Sequence, residues 1–392
     1  MKEYYIRLIS YSILKYFSVI GSMAAFMLSS ILVEQNNSAS DNIFLCVISY
    51  TLGLYCGDPN SLIFFQRKFR ENIDNVNNGY WIPRLALTLI ISAVSIFFVE
   101  KLEVSHFLLG SIFAYFLPQG RISNANKFQI VIFLGGLIKI TISIFIIVNS
   151  RSAFSNLPIL ICLATSSNYL ASIIYHLIYI KNDIINNKST NNINVLHEFL
   201  ECCKSFSITL PIHFYTSLGG FAYINIKGEE GISLYFLYDR IIRGLGATVN
   251  VFQSKTMDAI SKISLKIETI KISNLIKYFI IYLAGGFIIG ILFVILGKLI
   301  FNYIGINSNI FDNNLIEIIP VAVSSMYISN LIGVQIFMVN NNYRIMFFAS
   351  IIAIISFYIS LLYSNNILLM ISVPEISIAV FLFYCLKFKL KH

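Results

Sequence analysis

Long apolar stretches recur along the whole chain, and they constrain its structure more than any other feature. Each is close to the roughly 20 residues that an α-helix needs to cross a bilayer. The chain is 57% hydrophobic and 12% charged, whereas a soluble domain is about one quarter charged. The sequence therefore predicts an all-α integral membrane protein. A window of about 19 residues gives about twelve transmembrane helices, at 8–33, 43–65, 82–100, 103–120, 128–148, 157–180, 204–226, 232–253, 275–297, 315–338, 345–363 and 366–386.

The loops between these spans alternate in charge, and this alternation predicts their orientation. Lys and Arg in short loops stay on the cytoplasmic side. With a cytoplasmic N-terminus, every cytoplasmic loop carries Lys or Arg, and every loop on the other side carries at most one. Both termini are then cytoplasmic. The weakest assignment concerns the third and fourth spans, which only Glu100, Lys101 and Glu103 separate.

An Asn-rich polar segment, Lys181–Cys203, follows the sixth span and divides the chain into two halves. We assign residues 1–190 to an N-terminal lobe and residues 191–392 to a C-terminal lobe, each a six-helix bundle by this count. Transporters are often built from two such repeats with the substrate site between them. The sequence thus predicts two bundles around a central cavity.

The eighth predicted span contains three charges within two helical turns, Asp239, Arg240 and Arg243. On an insertion scale they cost about 8 kcal/mol, while the apolar residues of the span return about 5 kcal/mol. The charges must therefore face other helices or a wet cavity. Asp239 and Arg243 are spaced i, i+4 on one stripe. Two interpretations remain open: the stripe lines a cavity, or Asp239 and Arg243 form a local ion pair.

Other charges within the predicted spans are mostly positive. Lys15 and Lys139 lie deep, where cavity lining and extension to the interface are both open. Arg84 and Lys277 lie near span ends and are expected to extend to the interface. Asp58 precedes a proline in GDPNS, where its carboxylate binds a cation or caps a broken helix. Two further acidic residues are placed near helix ends, Glu317 and Glu375.

Excess Arg and Lys between two helical halves predicts a cationic cavity for an anionic, phosphate-bearing substrate, because Arg grips phosphate bidentately. No nucleotide-binding, metalloprotease or hydrolase motif is present. The six Cys show no metal-ligand spacing, so the sequence predicts no zinc site, no disulfide framework, no cofactor and no catalytic residues. GxxxG motifs at Gly53–Gly57 and Gly286–Gly290 predict close helix packing.

The seventh and eighth spans read FSITLPIHFYTSLGGFAYINIKGEEGISLYFLYDRIIRGLGATVNVFQSK, and the last spans are joined by NNNYR. With about twelve spans and both ends inside, the chain resembles the polysaccharide (O-antigen, Wzx-type) flippases of the multidrug/oligosaccharidyl-lipid/polysaccharide (MOP) exporter superfamily. KGEEGISLYFLYDR matches the family's turn before its eighth helix. Asp239 departs from the family, which often has a small or apolar residue there.

The resemblance implies a flippase of the bacterial inner membrane that moves an undecaprenyl-pyrophosphate-linked oligosaccharide outward by alternating access. By that likeness Arg240, Arg243 and Lys15 face the pyrophosphate or an acidic sugar. Lys139 is a further candidate for the cavity because of its deep position in the fifth span. Ion coupling is common among relatives, and Asp58 or Asp239 would serve as coupling or counter-ion site. The expected partners are the lipid-linked anionic oligosaccharide, membrane lipids and other polysaccharide-assembly membrane proteins, without nucleic acid.

Three alternatives remain. A cation-coupled drug exporter would favour an acidic cavity. A polymerase or a membrane acyltransferase of the same O-antigen or capsule pathway would instead form new glycosidic or ester bonds. The longest outside segment, Gly297–Asn314, is short for a polymerase of that kind.

Overall fold

The structure is a computed structural model in which the chain forms two compact units, Met1–Phe206 and Ser207–His392. The described residues are helices and the turns that join them, without strands. The boundary predicted at residues 190 and 191 lies outside them, so that division remains a prediction. The structure describes residues 21–22, 24–26, 28–33, 40–57, 81–116, 125–149, 156–171, 174, 196, 199–200, 203, 216, 218–249, 252–253, 256, 260, 272–304, 316–338, 340 and 342–389.

The described part of the first unit consists of apolar helices. A turn with Lys101 in the left-handed region, at φ 59°, separates α2 (Trp81–Phe98) from α3 (Val104–Phe116). The third and fourth predicted spans, whose separation was the weakest assignment, are therefore distinct helices. Pro158 lies in the first turn of α5, where its missing N–H costs no helical hydrogen bond. The helices described here are α1 Ser40–Gly57, α2 Trp81–Phe98, α3 Val104–Phe116, α4 Ala125–Asn149 and α5 Leu157–Thr165.

Three glycines bring α1 and α3 into backbone contact. A Cβ added at Gly53 would overlap the carbonyl of Phe107, and one at Gly57 would overlap that of Ser111. From the other side, a Cβ at Gly110 would overlap the carbonyl of Tyr50. Only residues without a side chain fit at such a crossing. The packing role predicted for the Gly53–Gly57 motif is confirmed; we call this contact the glycine seam.

The described part of the second unit contains several long apolar helices. Windows in four of them, Leu275–Leu299, Ile318–Phe337, Arg344–Tyr363 and Ile367–Phe388, are long and apolar enough to cross a membrane. They coincide with the ninth to twelfth predicted spans. Its helices are α6 Gly219–Lys227, α7 Ile232–Ala247, α8 Ile272–Ile304, α9 Ile318–Ser329, a π-helical segment Asn330–Met338, α10 Tyr343–Tyr363 and α11 Ile367–Lys389.

α8 has one apolar face that packs and one that stays exposed. Gly286 and Gly290 lie against the backbones of Ser324 and Pro320 of α9, so the second GxxxG motif also serves close packing. The opposite face carries exposed apolar side chains, among them Ile280, Phe287, Ile288, Leu292 and Ile295. Such a continuous apolar face suits contact with lipid tails.

α7, the eighth predicted span, is by contrast buried on most sides despite its charges. Its buried residues include Phe236, Ile241 and Ile242 as well as Asp239. A helix buried all round must satisfy each polar group from its neighbours in the fold. The candidate site of the second unit is therefore built around α7.

Candidate functional site

The turn before α7 is set by two glycines in the segment KGEEG. Gly228 and Gly231 have φ values of 95° and 82°, a backbone region that side-chain-bearing residues rarely adopt. Gly231 is the last residue before α7, and a Cβ there would lie 2.9 Å from the hydroxyl of Tyr223. That hydroxyl donates to the carbonyl oxygen of Glu230 at 3.4 Å. The turn thus sets where α7 begins.

Arg243 of α7 is bound by two carboxylates. Its Nε donates to Oδ1 of Asp239 at 2.5 Å, one helical turn earlier. Its Nη1 donates to Oε1 of Glu375 on α11 at 3.3 Å. The side chains of Asp239 and Glu375 are 9% and 5% exposed, against 18% for Arg243. We call these three residues the carboxylate–arginine triad.

Glu375 lies in the interior of α11, which corrects its placement near a helix end. It follows Pro374, the proline inside this helix. A proline in a helix interior lacks the N–H that would close a backbone hydrogen bond and tends to bend the helix. Glu375 also supplies the partner of Arg243 that sequence reasoning missed, since the two residues are 132 positions apart.

The triad carries two negative charges and one positive charge. The Asp239–Arg243 ion pair considered from their spacing is present, and it extends to a second helix. Arg243 donates to both carboxylates and so takes the position between them that a bound cation would need. An anion that binds Arg243 would compete with these carboxylates for the guanidinium charge and its N–H donors, and a cation between the carboxylates would require the guanidinium to move aside.

Arg240 and Lys139 are placed on aromatic faces. The guanidinium of Arg240 lies over the ring of Phe236, one turn earlier in α7, at 4.7 Å from the ring centroid. In the first unit, the ammonium of Lys139 on α4 lies over the ring of Phe26 at 4.9 Å. Such contacts hold a cation in place through the negative face of the ring.

Lys15 and Asp58 lie outside the described residues, so their roles remain predictions. Lys277 is exposed on α8; its assignment to the membrane interface remains a prediction.

A neutral polar network, not anticipated from the sequence, lies in the same unit. The amide of Gln335 donates to the hydroxyl of Tyr282 at 2.7 Å and to Oδ1 of Asn330 at 3.1 Å. The amide of Asn330 in turn donates to Oε1 of Gln253 at 3.1 Å. Thr256 joins through its hydroxyl, 2.6 Å from that of Tyr282. Gln335 and Tyr282 are fully buried, so the network satisfies side chains that would be costly in hydrocarbon.

The network is centred on the π-helical segment that continues α9. Asn330 and Gln335 both belong to this segment, in which the backbone winds more loosely than in an α-helix. Such segments within α-helices are frequent at functional sites. The signal available from sequence was the pair of amide side chains in an otherwise apolar span, SNLIGVQIF.

No protein-family model matches the chain, and no curated protein matches its sequence. Solved structures do match its fold. An outward-facing multidrug resistance MATE family transporter of the MOP superfamily is 15% identical, with a TM-score of 0.53 over 97% of this chain and 95% of that chain. A MATE structure in complex with MaL6 is 15% identical, with a TM-score of 0.57 over 97% and 96%.

A third similar structure is a MOP superfamily transporter from Pyrococcus furiosus, described as having a binding pocket of reversed polarity that suggests a different function. It is 16% identical, with a TM-score of 0.52 over 97% of this chain and 95% of that chain. The chain therefore has the helical fold of MATE transporters of the MOP superfamily along nearly its whole length. At this identity the likeness concerns the fold alone.

Proposed function

We propose that this protein is a flippase of the bacterial inner membrane that moves an undecaprenyl-pyrophosphate-linked oligosaccharide, an O-antigen or capsule repeat unit, outward by alternating access. The observation that carries the proposal is the presence of two arginines, Arg240 and Arg243, on one buried helix of a MOP transporter fold. Arginine binds phosphate oxygens through paired N–H donors. The proposal includes two lobes, 1–190 and 191–392, and cytoplasmic termini.

The triad gives this proposal a mechanism. Asp239 and Glu375 hold Arg243 while no substrate is bound, which keeps its charge compensated in a low-dielectric environment. A pyrophosphate headgroup competes with these carboxylates for the guanidinium. Protonation of Glu375 or Asp239 would weaken their hold on Arg243, which would couple substrate binding to a proton gradient. Arg240 supplies a second positive charge from the same helix.

The test is export of surface polysaccharide in cells whose own copy of the gene is deleted. We expect deletion to abolish the surface polymer and to leave lipid-linked repeat units inside the cell. Wild type and Lys277→Gln, an exposed control on α8, should restore the polymer. Arg240→Gln should restore less than about one tenth, because one charge-assisted contact contributes roughly 1.5–3 kcal/mol.

Arg243 needs a compensated variant, because its removal alone leaves two buried carboxylates. Arg243→Gln is therefore combined with Asp239→Asn and Glu375→Gln, which removes all three charges and leaves side chains that can still hydrogen-bond to one another. At equal membrane levels we expect this triple variant to export no polymer. Full export by both the triple variant and Arg240→Gln would refute the role of the arginines. Single unpolymerised units at the surface after deletion would point to a polymerase instead.

The second candidate is a cation-coupled drug exporter, and the carboxylates of the triad favour it. Asp239 and Glu375 are buried on two facing helices, and buried acidic groups inside a membrane commonly serve ion pathways. This candidate predicts that deletion raises sensitivity to cationic drugs and leaves surface polysaccharide intact. Asp239→Asn and Glu375→Gln would then abolish resistance, whereas Arg240→Gln would not.

A further inference from the structure

Three side chains with metal-binding chemistry converge in the first unit. Cys46 belongs to α1, Glu103 to the turn after α2, and His106 to the first turn of α3. The Cys46 sulfur, a carboxylate oxygen of Glu103 and a ring nitrogen of His106 all lie within 4.8 Å of one another. A tetrahedral Zn²⁺ site needs bonds of about 2.0–2.3 Å to such atoms, so small side-chain rotations would close it.

The backbone around these residues is held in place from several directions. The backbone N–H of Glu103 donates to Oγ of Ser49 on α1 at 3.0 Å. The carbonyl oxygen of Glu103 accepts a hydrogen bond from the N–H of Phe107 at 3.0 Å. This is the first helical hydrogen bond of α3. The glycine seam then fixes α1 against α3. The hydroxyl of Ser105 lies 3.3 Å from Nδ1 of the neighbouring His106.

The group is also accessible and of mixed chemical type. Glu103 is exposed, and Cys46 and His106 are half-buried, so an ion can reach them from solution. Thiolate, imidazole and carboxylate together favour Zn²⁺ among common divalent ions. Mg²⁺ and Ca²⁺ prefer all-oxygen sites. The predicted orientation places this turn on the face opposite the cytoplasm.

We propose that Cys46, Glu103 and His106 form a Zn²⁺ site, with water as the fourth ligand, that clamps α1 to the start of α3. On binding, the thiol of Cys46 releases its proton to solvent and its sulfur bonds to the metal. The site does not depend on the proposed function. Sequence reasoning predicted no metal site because the ligands come from positions 46, 103 and 106, which form no local motif.

The test uses the purified full-length chain in detergent, stripped of metal and titrated with Zn²⁺ alone. We expect one Zn²⁺ per wild-type chain. Outer-shell partners of metal ligands already contribute roughly 10–100-fold to affinity, so loss of a ligand in Cys46→Ser or His106→Gln should weaken binding by at least about 100-fold. Cys385→Ser, which removes a half-buried thiol from the second unit, should bind like wild type.

Two further measurements keep the proposal falsifiable if a variant folds poorly. Glu103→Gln changes an exposed side chain and should weaken Zn²⁺ binding without loss of folded protein. Co²⁺ added to the wild-type chain should give a thiolate-to-metal charge-transfer band. The proposal fails if wild type binds Zn²⁺ no more tightly than His106→Gln, if Cys385→Ser weakens binding equally, or if Co²⁺ gives no such band.

Discussion

At the scale of single residues, the interactions of Arg243 decide how the charges of α7 are tolerated. Its removal would leave Asp239 and Glu375 buried without their shared partner. Breaking a buried pair in this way costs about 3–5 kcal/mol. We therefore expect Arg243→Leu to lower the thermal unfolding midpoint in detergent strongly. The triple variant Arg243→Gln, Asp239→Asn and Glu375→Gln carries no charge at these three positions. It should recover most of that loss.

The matched control is Lys277→Leu, since Lys277 is an exposed cation on α8. Its loss should leave the unfolding midpoint nearly unchanged, because exposed charges contribute little. If Arg243→Leu unfolds at the same temperature as Lys277→Leu, the triad contributes nothing to stability. Asp239→Asn and Glu375→Gln can also be combined with the Arg243 substitution one at a time. Comparing the unfolding midpoints of these variants separates the contribution of Asp239 to stability from that of Glu375.

The triad also shows how far residue-level prediction reached. The Asp239–Arg243 pair follows from i, i+4 spacing, because helical periodicity alone brings such residues together. Glu375 could not be found that way, since its contact depends on how α11 packs against α7. The same limit applies to Cys46, Glu103 and His106, which only the α1–α3 contact assembles. Local spacing predicts contacts within a helix, and packing determines contacts between helices.

At the scale of elements, the glycine seam predicts sensitivity to a single methyl group. A Cβ at Gly53 would overlap a backbone carbonyl, which cannot rotate away as a side chain could. Overpacking of this kind costs typically about 1–3 kcal/mol. Gly53→Ala should therefore lower the unfolding midpoint and, by separating α1 from α3, weaken Zn²⁺ binding.

Gly21→Ala provides the control within the same unit. Among the described residues, a Cβ at Gly21 meets only a side-chain atom of Ile140, at an ordinary distance of 3.6 Å. It should leave both the midpoint and Zn²⁺ binding unchanged. Equal behaviour of the two alanine variants would show that the seam has no energetic role.

Predictions of elements succeeded where the apolar pattern was long and uninterrupted. α10 and α11 coincide with spans read at 345–363 and 366–386, because about 20 apolar residues define such a helix with little ambiguity. The π-helical segment was not predicted, since hydropathy does not distinguish helix types. Its network through Gln335 and Tyr282 depends on which side chains meet after folding.

At the scale of the whole molecule, the distribution of Lys and Arg predicts which side of the membrane each loop faces. Loops at 66–80 and 254–274 are basic, whereas 297–314 carries a single Lys. A basic loop resists translocation. The same pattern predicts that the turn at Lys101 lies outside the cytoplasm, and this orientation would decide from which side Zn²⁺ reaches Cys46, Glu103 and His106.

Reporter fusions in the full-length chain test this orientation. Green fluorescent protein should fluoresce when inserted after Asn75 or Lys266 or fused after His392, because it folds in the cytoplasm. Alkaline phosphatase should be active after Lys101 or Asn309, because it needs an oxidising compartment. Phosphatase activity after Lys266 would show that this loop lies outside the cytoplasm, which would contradict the proposed topology. Fluorescence after Lys101 would mean that α2 and α3 do not form a membrane hairpin, and the Zn²⁺ site would then face the cytoplasm.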